Sequence, residues 1–230
     1  MFQLNDLRKR CQDRNIPIIS KPTEKFLQHI LVKNKPKICL EIWGAVWYSG
    51  IFMGWVINQR WWKLYSFEIS YPGYREGRYN AIASQSYNLV SYPYNVLQVP
   101  VEKFIPENKV DFVFIDGQKA EYWAYLAKVA DMCTDKTVIV IDDVIKYHHK
   151  LTLLYEYLEK KQINCVRTSK GGEKRDLFGW ENHTGDLRNR KRKPACPVGR
   201  WKTAISDFEN NRVYKIVKLD DDDGVMIING

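Results

Sequence analysis

The sequence predicts an α/β protein with a doubly wound, mostly parallel sheet and an antiparallel hairpin at its C-terminal end. Short apolar runs alternate with segments of helical spacing, which is the pattern of parallel strands joined by crossover helices. The most continuously apolar run, Thr137–Ile141, is typical of a strand buried on both faces. Near the end, Val213–Leu219 and Gly224–Ile228 flank Asp220–Asp223 and predict the hairpin.

The N-terminal residues 1–35 predict a helical lead-in to the sheet. Residues 2–14 carry apolar positions in a polar background and predict a short helix. Pro17 favours an extended segment, because the residue before proline avoids the helical region. Ser20 followed by Pro22 is typical of a helix start, and apolar residues then recur at helical spacing up to Val32.

Residues 36–50, PKICLEIWGAVWYSG, predict a strand, a tight turn and the start of a helix. In an open parallel sheet, such a junction is where nucleotide-like ligands bind. The turn carries Trp43 and Trp47, although a loop that passes close to a ligand has little room for indole rings. The predicted elements that follow are helix Tyr48–Asn58, strand Lys63–Glu68, helix Pro72–Leu89, strand Asn95–Val99, strand Val110–Asp116, helix Ala120–Cys133 and helix Tyr147–Lys161.

Charge is concentrated in one segment of the chain. The net charge is +9, and Thr168–Lys202 alone holds ten Lys/Arg against four Asp/Glu. This stretch has no clear period, so residues 168–205 predict a basic loop or insertion, with residues 36–167 and 206–230 forming the core. A Lys/Arg cluster is compatible with RNA binding, and a solvated loop is an equally good interpretation.

Cysteine usage and hydropathy predict a cytoplasmic protein without a membrane span. The five cysteines are scattered, at neither metal nor redox spacing, and the first residues do not show the pattern expected of a signal peptide. Ile42–Ile57 is an uncharged run of 16 residues, shorter than the roughly 18 that a spanning helix needs. We therefore interpret it as a buried strand-to-helix junction.

Carboxylates lie at the carboxyl ends of four predicted strands, and in a parallel sheet these ends share one edge. Their repulsion at that edge needs an offset. Mg²⁺ or another divalent cation fits, because such ions prefer oxygen ligands. Single Asp residues at strand ends are often only helix caps, but five carboxylates favour a shared site. They are Glu41, Glu68, Asp116, Asp142 and Asp143.

Two of these positions suggest specific chemistry. Glu68 ends the second strand, where a carboxylate can accept hydrogen bonds from ribose hydroxyls. Lys119 follows Asp116 by three residues and would overhang the same crevice. A lysine that is partly desolvated there can lose its proton and act as a base.

Several motifs, in order, resemble the class I S-adenosylmethionine-dependent O-methyltransferases. The resemblance is to the metal-dependent family akin to catechol O-methyltransferase, in the bacterial branch that includes tRNA hydroxyuridine methyltransferases. IPIISKPTEKFL is similar to the family's lead-in, and LEIWGAVWYSG resembles LEIGTxxGYSx. FIDGQKAEY resembles FIDxxKxxY, and VIVIDDV and DDDDGVMII are similar to the later motifs.

The resemblance implies a Rossmann-like methyltransferase fold and a Mg²⁺-assisted O-methyl transfer from S-adenosylmethionine. It places Mg²⁺ at Asp116, Asp142 and Asp143, and it makes Lys119 the base that deprotonates the acceptor. The acceptor would be a hydroxyl of a small phenol or diol, or of an RNA base in tRNA; a homodimer is left open. The cofactor contacts it implies are Glu41, Gly44, Tyr48, Ser49, Glu68 and Asp116.

Tryptophan stands where the family has glycine. This holds for Trp43 and Trp47, and Trp61-Trp62 replace an expected Gly-Gly turn. One hypothesis is that these positions are glycines encoded by TGA, a codon that some bacterial lineages read as glycine. The alternatives are a chain that has lost cofactor binding, which would be a non-catalytic binding protein, and a rebuilt loop that still binds. A nucleotide-dependent oxidoreductase is less favoured, since the strand-end aspartates have no task in hydride transfer.

Overall fold

The computed structural model describes residues 2–57, 62–158, 214–219 and 224–229. Seven strands form one sheet within these ranges. The strands are β1 Ile38–Ile42, β2 Lys63–Phe67, β3 Leu89–Tyr92, β4 Val110–Ile115, β5 Cys133–Ile141, β6 Tyr214–Lys218 and β7 Gly224–Asn229. The helices are α1 Leu4–Asp13, α2 Lys21–Asn34, α3 Tyr48–Ile57, α4 Tyr71–Ala83, α5 Tyr122–Val129 and α6 at 152–158.

The strand order is β3-β2-β1-β4-β5-β7-β6, and the first five strands run parallel. The C-terminal strand β7 pairs antiparallel with both β5 and β6. The chain moves outward from β1 to β3 and then returns to β4 on the other side of β1. A ligand crevice is expected at the carboxyl ends of β1 and β4, where this reversal occurs. The predicted fold class, a doubly wound sheet with a closing hairpin, is confirmed.

The core has two layers because successive side chains of a strand point to opposite faces of the sheet. One face carries Cys39, Leu64 and Phe112 and packs under α1, α2 and α3. The other face carries Leu40 and Tyr65 and packs under α5 and α6. The lead-in helices thus share their apolar layer with α3, the helix that follows the turn after β1.

Helix caps explain two of the helix starts. The Ser20 hydroxyl accepts a hydrogen bond from the Thr23 amide at 3.1 Å, and Pro22 occupies the first turn. Ser70 caps α4 in the same way through the amide of Gly73 at 3.3 Å. Both caps satisfy an amide that has no partner inside its helix.

Some predicted boundaries were wrong. The segment Asn95–Val99, predicted as the third strand, contains a 3₁₀ turn at Val96–Gln98. The third strand is Leu89–Tyr92. The helix predicted to reach Leu89 ends at Ala83, because Gln85 adopts a left-handed conformation just beyond it. The strand predicted as Thr137–Ile141 begins earlier, at Cys133, and the helix predicted from Tyr147 is a 3₁₀ turn followed by α6.

Other sequence expectations fall outside the described residues. These are the basic segment 168–205 and Trp61. In the described part of the chain, no helix is long and apolar enough to cross a bilayer.

Candidate active site at the carboxyl edge of the sheet

The five strand-end carboxylates lie along one edge of the sheet, as predicted. Glu41 is on β1, Glu68 follows β2, Asp116 follows β4, and Asp142 with Asp143 follows β5. Since β1 lies between β2 and β4, and β4 lies beside β5, these groups lie next to one another along that edge.

Glu41 is fully buried and holds two hydroxyls. Its carboxylate oxygens accept hydrogen bonds from Ser49 and from Ser66, each at 2.6 Å. Burial raises the pKa of Glu41 to about 7, and the nearby charges of Asp116 and Glu68 act in the same direction. Near neutral pH the carboxyl is therefore divided between its protonated and ionised forms.

Glu68 holds the turn after β1 from the end of β2. Its carboxylate accepts a hydrogen bond from the Ala45 amide at 2.7 Å and another from the Ser70 amide at 2.6 Å. Burial raises the pKa of Glu68, although hydrogen bonds from backbone amides oppose that shift. This carboxylate joins the loop after β1 to the N-terminus of α4.

Lys119 lies between two of the aspartates. Its ammonium group is 2.7 Å from Asp116 and 2.9 Å from Asp143. Burial acts to lower the pKa of Lys119, but the charges of Asp116 and Asp143 outweigh it, and the net shift is upward. This direction is opposite to the one that the predicted role as a base requires.

Asp142 has other hydrogen-bond partners than Lys119. It is almost fully buried and accepts hydrogen bonds from the Thr23 hydroxyl at 3.4 Å and from the Asp143 amide at 3.0 Å. Burial raises its pKa well above the ordinary value, and the charges of Asp116 and Asp143 add to the effect. Among the described residues, no cluster of three or more His, Cys, Asp or Glu side chains is arranged to hold a metal ion. The predicted Mg²⁺ site at Asp116, Asp142 and Asp143 therefore gains no support from this arrangement and stays a prediction.

Tyr48, predicted to contact the cofactor, lies at the start of α3 and faces the lead-in helices. Its hydroxyl donates to Glu24 and accepts a hydrogen bond from Arg8 at 3.0 Å. The Arg8 guanidinium also lies 4.6 Å from the centre of the Tyr48 ring and pairs with Glu24. Sequence reasoning assigned no role to either residue: Arg8 lies outside every motif, and Glu24 lies in the lead-in motif IPIISKPTEKFL without a predicted function.

The turn after β1 has an unusual backbone for its sequence. Trp43, Ala45 and Trp47 all have left-handed conformations, with φ values of 70°, 47° and 62°. For a residue with a Cβ this conformation costs roughly 1–2 kcal/mol, and glycine adopts it freely. The backbone therefore has the geometry of a glycine-rich loop, as the resemblance implies.

The two indoles fill space beside the strand ends. Trp47 is 1% exposed, and its ring meets the Tyr74 ring edge-on at a centroid distance of 5.8 Å. Within the described residues, Trp47 Nε1 is the one buried side-chain polar atom without a hydrogen-bond partner. Trp43 packs so closely against Gly117 that a Cβ there would lie 2.8 Å from the indole.

Comparisons with solved structures identify the class of fold. A Staphylococcus aureus protein assigned as a caffeoyl-CoA O-methyltransferase matches with a TM-score of 0.64 and 16% identity, over 100% of this chain and 93% of that one. An O-methyltransferase from Bacillus cereus in complex with SAH matches at 0.59 and 16%, over 99% and 90%. TomG, an O-methyltransferase from Streptomyces achromogenes in complex with SAM, matches at 0.59 and 13%, over 98% and 88%.

The chain therefore has the Rossmann-like fold of these O-methyltransferases. No protein-family model matches its sequence, and no curated relative does.

The raised pKa of Glu41 predicts a pH-dependent stability. Below the unfolded-state pKa both states hold the proton, and as the pH rises towards 7 only the folded state retains it. The wild-type free energy of unfolding should thus fall by roughly 2–4 kcal/mol relative to Glu41→Gln between about pH 4.5 and 7.5. Urea unfolding at a series of pH values measures this. Exposed Glu102→Gln is the control, and parallel wild-type and Glu41→Gln curves would contradict the prediction.

The left-handed turn predicts an inverted preference between glycine and alanine. At position 43, Trp43→Gly should be more stable than Trp43→Ala by about 1 kcal/mol, because alanine keeps the backbone strain. At Trp55, inside α3, the order should reverse by about 1 kcal/mol, since glycine weakens a helix interior. Chemical unfolding of the four variants measures both differences in stability. If glycine is the more stable residue at both positions, or alanine at both, the left-handed conformation at position 43 is refuted.

Proposed function

We propose that the chain is an S-adenosylmethionine-dependent O-methyltransferase. The observation that carries this proposal is a fold shared with O-methyltransferases over nearly the whole chain, including neighbours in complex with SAM and SAH. The strand-end carboxylates support it, because they border the crevice where such a fold binds its ligand. A cytoplasmic location remains a sequence prediction.

In the proposed complex, the cofactor lies across the carboxyl ends of β1 and β2. Glu68 would accept hydrogen bonds from the ribose hydroxyls, with the free lone pairs of a carboxylate that already holds the Ala45 and Ser70 amides. Glu41 and Ser49 would border the methionine part, together with Gly44. The turn between them would then set the position of the reactive methyl group.

Methyl transfer needs an ionised acceptor oxygen in line with the sulfonium methyl group. The proximity and orientation of the two reactants supply much of the rate of such a displacement. Lys119, held as a cation by Asp116 and Asp143, would donate its third N–H to the ionised acceptor oxygen, whose proton is lost to solvent. The new C–O bond would form as the sulfonium C–S bond breaks and S-adenosylhomocysteine leaves. We therefore favour Lys119 as a cation that stabilises the oxyanion over its sequence-predicted role as the base.

Mg²⁺ or another divalent cation remains a sequence prediction at Asp116, Asp142 and Asp143. No step of the proposed reaction passes through it. Methyl transfer measured with and without excess chelator tests the prediction, and restoration of lost activity by added Mg²⁺ would support it.

The acceptor is proposed as a hydroxyl of a small phenol or diol, or of an RNA base. The RNA alternative draws support from α4, where Tyr71 and Tyr79 are exposed beside Arg75 and Arg78. Exposed tyrosines can stack on unpaired bases, and arginines can neutralise phosphates. Methylation of tRNA and of catechol-type compounds, assayed side by side, separates the two alternatives.

A non-catalytic binding protein is the second candidate. The buried indole of Trp47 favours it, because this ring lies in the turn where the cofactor would bind. Calorimetric titration of the chain with S-adenosylmethionine discriminates between the two: a folded chain without detectable binding would support the second candidate.

Glu68 should be required for cofactor binding. Glu68→Gln should weaken SAH binding by about 1.5–3 kcal/mol, because hydrogen bonds to a charged group are lost. The exposed Glu102→Gln is the matched control. Both substitutions are introduced into a form of the chain that binds SAH, and calorimetry compares the SAH affinity of each variant with that of the parent. An unchanged affinity in Glu68→Gln would show that Glu68 does not contact the cofactor.

Lys119 should act through its charge. Lys119→Gln should lower kcat by about ten- to a thousandfold, since charge stabilisation in a desolvated site commonly contributes this much, and Lys119→Arg should retain part of the rate. The dependence of kcat on pH distinguishes the two roles: a base would give a rising limb that Lys119→Arg removes. Full methyl transfer by Lys119→Gln would exclude both roles.

A further inference from the structure

The turn after β1 is built for glycine at two positions that carry tryptophan. Of the described residues other than glycine, eight have a positive φ, and Trp43 and Trp47 are the only aromatic ones. The others include two asparagines and one aspartate, which tolerate this conformation. A further one, Lys35, caps the end of α2, where left-handed residues are common. Neither tryptophan follows the C-terminal end of a helix: Trp43 comes directly after β1, and Trp47 directly precedes α3.

The neighbours of the two indoles are glycines. A Cβ at Gly44 would lie 2.3 Å from Trp47 Cδ1, and one at Gly77 would lie 2.6 Å from Trp47 Cδ2. Gly117 has the same relation to Trp43, at 2.8 Å. Gly44 and Gly77 thus leave bare backbone around the Trp47 ring, and Gly117 does so beside Trp43, which is what a ligand in close contact with backbone requires.

Other tryptophans in the same chain show the contrast. Trp55 and Trp123 lie within α3 and α5 in ordinary helical conformation. Trp62 is buried, and its Nε1 donates to Cys39 Sγ at 3.1 Å, whereas Trp47 Nε1 is buried without a partner. Among the tryptophans that the structure describes, the conflict between side chain and backbone is therefore confined to positions 43 and 47.

From this we infer that the protein made in its own cell has glycine at positions 43 and 47, and that the space of the two indoles is the binding pocket of the methionine part of the cofactor. A single codon explains both positions: TGA is read as glycine under one genetic code and as tryptophan under another. The structure supports this reading for 43 and 47 alone, since Trp62 has neither the strained backbone nor an unsatisfied donor. The identity of the ligand rests on the proposed function, and the glycine assignment does not.

Mass spectrometry of the protein isolated from its own cells tests the glycine assignment. Trypsin should release residues 38–60 as one peptide, after cleavage at Lys37 and Arg60. We expect fragment ions with the residue mass of glycine at positions 43 and 47. The peptide of residues 120–128 is the internal control and should contain tryptophan at Trp123. Tryptophan at both 43 and 47 would overturn the inference.

A second experiment tests the pocket. The chain with both Trp43→Gly and Trp47→Gly should bind SAH at least tenfold more tightly than the chain with both tryptophans, in calorimetric titration. Trp123→Gly should bring no gain, and far-UV circular dichroism confirms that each protein is folded. If the double variant and the chain with both tryptophans bind SAH with equal affinity, the claim that the indoles fill the pocket is contradicted.

The two experiments separate the inference from the proposed function. Glycine at both positions, together with no SAH binding by the folded double variant, would support the decoding and refute the methyltransferase proposal. Tryptophan at both positions in a chain that binds SAH would refute the inference and leave the proposal intact.

Discussion

The reversal of the chain between β1 and α3 is the constraint on which the rest of the edge depends. In five residues the backbone must leave a buried strand and begin a buried helix beside it. It does so through left-handed conformations and through hydrogen bonds to the end of β2, from Trp43 N to Phe67 O at 2.9 Å and from Ala45 N to Glu68 at 2.7 Å. The conformation of the turn is therefore fixed by hydrogen bonds from its backbone amides and not by its own side chains.

Charge balance is the second constraint on this edge. Five carboxylates lie along this edge, and they are stabilised in more than one way. Glu41 is stabilised by two serine hydroxyls and a raised pKa, and Glu68 by backbone amides. Asp116 and Asp143 share the ammonium of Lys119. Because this single cation bridges two acids, its proton is retained more firmly than burial alone would suggest.

The sequence predicted the order of the elements and the edge at which the acids gather, because both follow from apolar periodicity and from parallel topology. It did not predict partners that only the tertiary structure brings together. Ser66 lies opposite Glu41 on the next strand, and the register of two strands is not visible in either one. The sign of the pKa shift at Lys119 likewise depends on two distances that residue spacing does not fix.

Local boundaries failed where short elements meet. Only five residues separate the end of α4 from the edge strand β3. The four residues of β3 are too few to show the alternation of apolar and polar residues that is typical of a strand. The predicted helix Pro72–Leu89 was therefore too long and included Leu89, the first residue of β3. The positions where the resembled family has glycine predicted the backbone of the turn better than local periodicity predicted these boundaries. The left-handed conformation at Trp43 and Trp47 follows from the path of the chain, whichever side chain stands there.

The cluster of Arg8, Glu24 and Tyr48 connects the lead-in to the site. Glu24 accepts hydrogen bonds from Arg8, from Tyr48 and from Lys21 at 2.8 Å, and these outweigh the effect of burial and lower its pKa. A buried carboxylate satisfied in this way fixes the first turn of α3, because Tyr48 has no freedom to leave it. Ser49 is the next residue, so the hydroxyl that Glu41 binds is held in place from helices α1 and α2. The lead-in thus stabilises the geometry of the turn from the side opposite to β2.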